Sequence, residues 1–361
     1  MDINFTDSLV FTGGGTGGHF YPAVALAEAA QLKWPDRSIV FVGAKEGIES
    51  RLLPKSNWQY LLLDVDGLSR SPIRALRALW RMYSARNFLI SIWKVQRPLA
   101  VIGTGGYGAG AALYAAKSLG IPYFIHESNA APGLIVRLTA KNAKAVWLGM
   151  SAAKTLLPGA NCAYVGTPVR SPFLRSFASI KTLFPPHRLL VLGGSGGARA
   201  INSAVFSIGE KLLERQSDWE IFHQVGHKEI ESCSKLPRHP RHTIVPYIEN
   251  MDIVMESASL VISRSGASTC AELLVAGRPT VMVPLPTSAG DHQRHNAIAF
   301  TNENHGQMVE QGQGFDERLF SALSAMMSDS KLRESMSKPS ANLAVEKCLN
   351  SLSHFQSHLG F

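Results

Sequence analysis

The chain has 361 residues, 45% of them hydrophobic and 17% charged, with 36 Lys and Arg against 27 Asp and Glu. That length suits two domains with sizeable cores. No apolar run approaches the ~18 residues a membrane-crossing helix needs, and the N-terminus Met1–Asp7 lacks the apolar stretch of a signal peptide, so a cytoplasmic compartment is expected.

Residues 8–12 read as a short buried strand, followed by the glycine loop Gly13–Gly18 and a helix from Pro22 to Leu32. Strands are expected at 38–42, 99–102 and 123–126, with a second glycine-rich loop, Gly103–Gly108, and a helix at 111–119. The pattern restarts with a strand at 188–192, the loop Gly193–Gly197 and a helix from Ala198, then strands at 220–223, 260–263 and 280–283. Short apolar strands alternating with helices imply parallel sheets covered on both faces, and two glycine-loop units imply two similar α/β domains. The Pro-rich, polar stretch 167–186 is the expected connection.

Charge is unevenly distributed. The first 170 residues hold 18 Lys and Arg against 9 Asp and Glu, and the remainder holds 18 of each. A basic half seeks an anionic partner. Residues 68–98 contain no Asp or Glu, and Arg70, Arg74, Arg77 and Arg81 recur at helical steps beside Ile73, Leu76, Trp80 and Tyr83. A basic amphipathic helix bearing tryptophan fits an anionic membrane surface; in the alternative, its apolar residues face the core. No recognised RNA motif accompanies the patch, so nucleic acid is not an expected partner.

The chemistry-bearing clusters sit at strand ends. Gly13–Gly18 satisfies G-x-G-x-x-G, but the second strand ends Val42-Gly43-Ala44-Lys45 without the acidic residue that holds a ribose. No nicotinamide or flavin cofactor is therefore expected. Glycines there either make a tight turn or leave N–H groups free for an anion. His19 follows, as a general base or as a helix-capping histidine. His126-Glu127-Ser128-Asn129 ends another strand. In the second half, Ser263–Glu272 crosses from strand to helix and offers helix N–H groups to a diphosphate, with Glu272 available for ribose hydroxyls or merely complementing the helix dipole. Asp291–Asn296 is a polar cluster able to read sugar hydroxyls. Asp64-Val65-Asp66 resembles a D-x-D metal motif but reads as a surface turn, and the four scattered cysteines read as reduced and structural. No metal site is expected.

Together these motifs resemble the MurG family of glycosyltransferases (glycosyltransferase family 28). The family's G-G-T-G-G-H-x-x-P is similar to Gly14–Pro22, its G-G-Y to Gly105–Tyr107, its H-E-x-N to His126–Asn129, and its G-x-P-V-R to Gly166–Arg170. Its G-G-S-x-G-A matches Gly193–Ala198, its S-R-x-G-x-x-T-x-x-E matches Ser263–Glu272, and its D-H-Q-x-x-N-A matches Asp291–Ala297. Gly196, Ser128, Ser268 and Gly108-Ala109-Gly110 depart from the family's usual residues.

The resemblance implies a GT-B fold, two Rossmann-like domains with parallel sheets facing across a cleft. Residues 1–166 would form an acceptor and membrane-associating domain, and 167–361 a UDP-GlcNAc-binding domain whose last helix packs back on the first. It implies inverting, metal-independent transfer of N-acetylglucosamine (GlcNAc) from UDP-GlcNAc to the C4 hydroxyl of N-acetylmuramic acid (MurNAc) in lipid I, undecaprenyl-diphospho-MurNAc-pentapeptide. It further implies a peripheral location on the cytoplasmic face of the cell membrane and partners among cell-wall synthesis and division proteins. By carry-over, Ser195, Arg170, Ile248 and Glu272 bind the uridine diphosphate, with Ile248 using its backbone. Ala267, Ser268, Thr269, Cys270 and Ala271 line the diphosphate and sugar, and Gln293 and Asn129 hold GlcNAc hydroxyls. Thr16, Gly17 and Gly18 sit where donor and acceptor meet. His19 is the expected base, with Glu127 and Tyr107 assisting, and Arg74, Arg77, Trp80 and Arg81 are the expected membrane contacts. Another enzyme of this fold, such as a UDP-GlcNAc epimerase or a natural-product glycosyltransferase, and a membrane-bound scaffold with a decayed site are the competing readings.

Overall fold

A computed structural model of the chain describes residues 3–15, 17–67, 71–169, 173, 187–193, 197–337 and 344–357. The chain divides into two compact units, Met1–Arg170 together with Asn342–Phe361, and Ser171–Ala341.

Among the described residues the first unit has seven parallel strands. They are β1 (Leu9–Thr12), β2 (Ile39–Ala44), β3 (Gln59–Leu63), β4 (Ala100–Gly103), β5 (Tyr123–Glu127), β6 (Ala145–Leu148) and β7 (Cys162–Tyr164), in the order β3-β2-β1-β4-β5-β6-β7. Successive strand residues point to opposite faces, and each face has its own core. Val10, Val40, Val42, Val101, Ile125 and Val146 pack on one side, against Ala85, Leu89 and Trp93 of the helix Pro72–Trp93 and Ala112 and Ala116 of the helix Tyr107–Leu119. Leu9, Phe11, Ile39, Phe41, Ile102 and Phe124 pack on the other, against Phe20, Ala23 and Leu26 of the helix Gly17–Lys33 and Cys348 and Leu352 of the C-terminal helix Ala344–Ser357. Burial on both faces is why these strands read as unbroken apolar runs. Truncating a fully buried side chain such as Leu89 to Ala costs about 2–5 kcal/mol.

The second unit repeats the plan. Its described strands β8 (His187–Leu192), β9 (Trp219–Gln224), β10 (His242–Val245), β11 (Leu260–Ser263), β12 (Thr280–Met282) and β13 (Gly306–Met308) are parallel, in the order β10-β9-β8-β11-β12-β13. Leu189, Val191, Ile221 and Ile262 pack with the helices Arg199–Arg215 and Phe315–Ser328 through Ile201, Val205, Leu319 and Leu323.

In each sheet the strand order reverses at one place, between β1 and β4 and between β8 and β11. Ligands of open parallel sheets bind beyond the carboxyl ends of the strands at such a point. In sequence, β1 and β4 are followed by the first two glycine-rich stretches, β8 by Gly193–Gly197, of which 194–196 lie outside the described residues, and β11 by the Arg264–Gly266 segment.

The eight strands expected from sequence are present within two residues of their expected ends. β3, β6, β7, β10 and β13 are additions. The first helix starts at Gly17 rather than Pro22, so its opening turn is made by the glycine loop itself, and Pro22 lies inside it.

Candidate active site

In the first unit the two glycine loops interlock. Thr104 N donates to Thr12 O at 2.8 Å, and Thr104 Oγ1 donates to His19 O at 2.7 Å. His19 Nδ1 lies 2.9 Å from Thr104 O. A carbonyl only accepts, so Nδ1 carries the proton and Nε2 is the nitrogen left to take one. His19 is therefore fixed from both its main chain and its ring by Thr104, a residue the motifs did not single out. Gly15 and Gly106, at φ 86° and 75°, adopt backbone that favours glycine. A Cβ on Gly15 would collide with the Tyr107 ring, and one on Gly106 with Gly14 O.

Tyr107 opens the helix Tyr107–Leu119. Burial above all, then the carboxylates of Glu49, Asp66 and Glu46, push its phenol above the usual value. Tyr107 thus stays protonated.

The first glycine loop does not leave all its N–H groups free. Gly15 N donates to the Glu49 carboxylate at 3.0 and 3.2 Å, and Ala44 N donates to Glu49 Oε1 at 2.8 Å. Gly17 and Gly18 form the first turn of the helix that carries His19.

Glu127 is buried, and its oxygens are engaged locally. Oε1 accepts from Asn129 N at 2.9 Å and Asn129 Nδ2 at 3.0 Å, and Oε2 accepts from Gly133 N at 2.9 Å. This arrangement shapes the loop that presents Asn129. Beside it His126 Nε2 contacts Gly166 O at 2.9 Å, and burial lowers its pKa to about 4.

In the second unit a cavity of about 90 Å³ is lined by Leu192, Gln224, Met251, Ser263, Arg264, Thr269 and Glu272. It lies at the switch point, beside the N-terminus of the helix Ala267–Ala276. Of the residues expected along this helix, Thr269 and Glu272 line the cavity. Ala267, Cys270 and Ala271 are buried, and burial pushes the Cys270 thiol up to about 12, so their side chains serve packing. Ser268 Oγ is buried and has no hydrogen-bond partner among the described residues. Ile248 is buried, and its N–H donates to Gln224 Oε1 at 3.2 Å.

Arg264 is braced on the ends of neighbouring backbone, donating to Val283 O at 3.0 Å and Pro284 O at 3.2 Å, and burial lowers its pKa. Gln293 Oε1 accepts from Leu285 N at 3.0 Å, and Ser265 Oγ donates to Gln293 O at 2.7 Å. The polar cluster is thus tied to the segment that leads into the helix Ala267–Ala276. Gln224, Leu192 and Met251 were not expected at a site, whereas Arg264 falls within the expected Ser263–Glu272 run. Thr16, Arg170 and Ser195 lie outside the described residues. Among the described residues no group of three or more His, Cys, Asp or Glu is placed to hold a metal ion.

The helix Pro72–Trp93 buries Ala78, Ala85, Leu89 and Trp93 along one face. Ile73, Leu76, Leu79, Trp80 and Tyr83 are exposed, Trp80 at 68%. At about 100° per residue Ile73, Leu76, Trp80 and Tyr83 lie opposite the buried face and Leu79 on its flank, so the core-facing reading of these residues does not hold. Arg74 and Arg77 are also exposed. Arg81 departs from the expected set of membrane contacts. Its Nη1 pairs with Asp64 Oδ1 at 3.0 Å and Asp66 Oδ2 at 2.8 Å, and its side chain is 16% exposed. The Asp64–Asp66 segment is accordingly an anchor for this helix, with Val65 buried in the core between the two carboxylates.

Comparison with known proteins agrees with this geometry. Residues 9–148 match the glycosyltransferase family 28 N-terminal domain, and residues 188–352 match the family 28 C-terminal domain. The chain is 33% identical over 358 residues to a Desulforamulus reducens protein named UDP-N-acetylglucosamine--N-acetylmuramyl-(pentapeptide) pyrophosphoryl-undecaprenol N-acetylglucosamine transferase, covering 95% of this chain and 96% of that one. The crystal structure of Acinetobacter baumannii MurG is similar at a TM-score of 0.76 and 27% identity, covering 95% of this chain and 98% of that one. A UDP-N-acetylglucosamine 2-epimerase structure from Listeria monocytogenes shares the fold at a TM-score of 0.67 and 13% identity, covering 98% and 97% of the two chains. With both domains matched in order along the chain, the protein belongs to glycosyltransferase family 28 and, within it, to the MurG family of GT-B glycosyltransferases.

Proposed function

We propose that the chain transfers GlcNAc from UDP-GlcNAc to the C4 hydroxyl of MurNAc in lipid I, forming lipid II for peptidoglycan synthesis, with inversion and without a metal. The observation that carries the chemistry is the His19 ring, held through Nδ1 by Thr104 O with Nε2 left as the proton acceptor. A single displacement at the anomeric carbon needs one base on the acceptor and charge stabilisation on the leaving diphosphate. His19 supplies the first. The N-terminus of the helix Ala267–Ala276, with Thr269 and Ser268, supplies the second through N–H and O–H donors already in place. Glu272 takes the ribose hydroxyls in the cavity it lines. Asn129 and Gln293 hold the sugar, and Tyr107 donates from its phenol. Glu127 acts through Asn129 and does not move the proton.

The same reading places the enzyme on the cytoplasmic face of the membrane, where a lipid-linked acceptor resides. The exposed apolar face of the helix Pro72–Trp93 supports this, with Trp80 buried into the headgroup region and Arg74 and Arg77 meeting anionic lipid.

The test is transfer of labelled GlcNAc to a short-chain lipid I analogue with EDTA present, with the anomeric configuration of the product read by NMR. A β-linked product formed in EDTA supports the proposal. A product of retained configuration, or activity abolished by EDTA and restored by a divalent cation, refutes the mechanism. UDP-GlcNAc binding without transfer refutes the acceptor.

A further inference from the structure

Glu49 is fully buried, yet its partners are main-chain N–H groups: Gly15 on both carboxylate oxygens and Ala44 on Oε1. An ionised carboxylate taken out of water requires such donors. The backbone around it is cleared to admit it. A Cβ on Gly14 or Gly47 would collide with the carboxylate, one on Gly43 would come within 2.6 Å of Glu49 Cγ, and one on Gly108 within 3.2 Å of Oε1. Those four glycines come from the first glycine loop, β2, the segment after β2, and the helix Tyr107–Leu119.

A glycine loop leading into a helix ordinarily offers its N–H groups to a ligand anion. Here the protein's own carboxylate occupies the Gly15 N–H. The same loop turns at Gly15 beneath the Tyr107 ring and runs into the helix that carries His19.

We propose that Glu49 is a positioning residue for the acceptor side of the reaction, a built-in anion that fixes the first glycine loop and, through it, His19 and Tyr107. In kinetic terms it rests on the transferase reading above; in structural terms it stands alone. The carboxylate is held by one face of the loop, so ligand contacts are left to the Gly17–His19 turn beyond it. Binding of the donor's uridine diphosphate belongs to the other unit, and neither Asn129 nor its Glu127 partner touches Glu49 in the hydrogen bonds described, so donor affinity is independent of Glu49.

The experiment compares wild type with Glu49→Gln, which keeps the shape and removes the charge, and Glu49→Asp, which keeps the charge and withdraws it by one methylene. Hydrogen exchange of the whole chain is read without substrate, followed by UDP-GlcNAc affinity and transfer to the lipid I analogue. In Glu49→Gln, amides of residues 12–19 and 43–47 are expected to exchange at least tenfold faster, with other protected segments unchanged. UDP-GlcNAc affinity stays within twofold and kcat falls at least tenfold. The alkaline limb of the rate profile moves to lower pH, because the Glu49 charge no longer opposes the Tyr107 phenolate, while Asp66 and Glu46 still do.

Wild-type exchange in the loop, or kcat within twofold of wild type, overturns the proposal. So does a parallel loss of donor affinity and turnover, which would mark a lesion of the whole fold. Should Glu49→Gln not fold, Glu49→Asp decides by the same readouts: faster loop exchange with reduced kcat supports the proposal, and unchanged exchange overturns it. If the wild type transfers no GlcNAc, the transferase reading fails, and the exchange result still decides whether Glu49 holds the loop.

Discussion

Arg81 Nη1 lies 2.8 Å from Asp66 Oδ2 across the join between the helix Pro72–Trp93 and the segment that follows β3. The pair divides the arginines of this helix into two kinds. Arg81 locks the helix to its own unit, whereas Arg74 and Arg77 remain exposed beside the apolar face. Arg77→Ala is expected to weaken binding to anionic vesicles about fivefold, the loss of roughly 1 kcal/mol carried by one cation near such a surface. Arg81→Ala should leave vesicle affinity within twofold and lower unfolding stability by about 1 kcal/mol, because Asp64 and Asp66 are partly solvated. Vesicle co-sedimentation and urea unfolding check both. Equal losses of vesicle binding in the two variants would refute the division.

Stability should fall with acid from about pH 6.5 downward. His126, buried against Gly166 O, has its pKa lowered to about 4 by desolvation. The buried pair His223 and His242, 3.3 Å apart, is lowered by burial and by each other's proximity or by neighbouring cations. A histidine that stays neutral in the folded chain but binds a proton near pH 6.5 when unfolded contributes stability above that pH. This is lost as pH falls toward the folded value. For His126 alone the span corresponds to about 3 kcal/mol between pH 6.5 and pH 4. Urea midpoints measured across that window should drop steeply. In His126→Gln, which lacks the titrating ring, the slope should be shallower. An unchanged slope would contradict the assignment.

The parts of the fold readable from sequence are those where one local pattern carries the signal. Leu9-Val10-Phe11 buries side chains on both faces, and Gly13 follows at once, so strand and loop announce each other. The unread strands are mainly sheet edges: β3, β7, β10 and β13 lie at the ends of their sheets, and β7 is largely open to solvent. Pro22 resembles a helix start, since its missing N–H is harmless there, yet the helix begins five residues earlier. The donor motif marked Glu272 and Thr269 directly. Gln224 was not legible, because it meets Ile248 only through the pairing of β9 with its neighbours, 24 residues away in sequence. Glu49 was missed for the same reason. A ribose-binding acid was sought at the end of β2, whereas the acid comes later and turns back onto Gly15, 34 residues before it.

Thiol reactivity should be limited to one position. Cys233, Cys270 and Cys348 are buried, and burial raises their pKa, to about 12 for Cys270. Cys162 is partly exposed on the edge strand β7; burial raises its pKa as well, with Lys154 nearby opposing that rise, so exposure is what sets it apart. Because the thiolate is the reacting form, native protein treated with an aromatic disulfide reagent at pH 8 should release about one equivalent quickly, and Cys162→Ser should abolish that phase. Denaturant should then expose the other three. A fast phase surviving in Cys162→Ser would show that a segment carrying Cys233, Cys270 or Cys348 opens in the native state.

The donor cavity makes the sharpest quantitative claim. Glu272 lines it with Gln224, whose Oε1 accepts from Ile248 N. A hydrogen bond to a carboxylate contributes about 1.5–3 kcal/mol, and a neutral one about 1. Glu272→Ala should therefore weaken UDP binding about tenfold or more, and Gln224→Ala about fivefold, by calorimetry. If the carboxylate holds the ribose, UDP analogues lacking the 2′ or 3′ hydroxyl should bind weakly to wild type. The same analogues should bind Glu272→Ala no worse than UDP itself does. The hydroxyl and the carboxylate are then one interaction, and removing the second loses nothing further. Fully additive losses would place Glu272 away from the ribose and leave it the lesser role of complementing the dipole of its own helix.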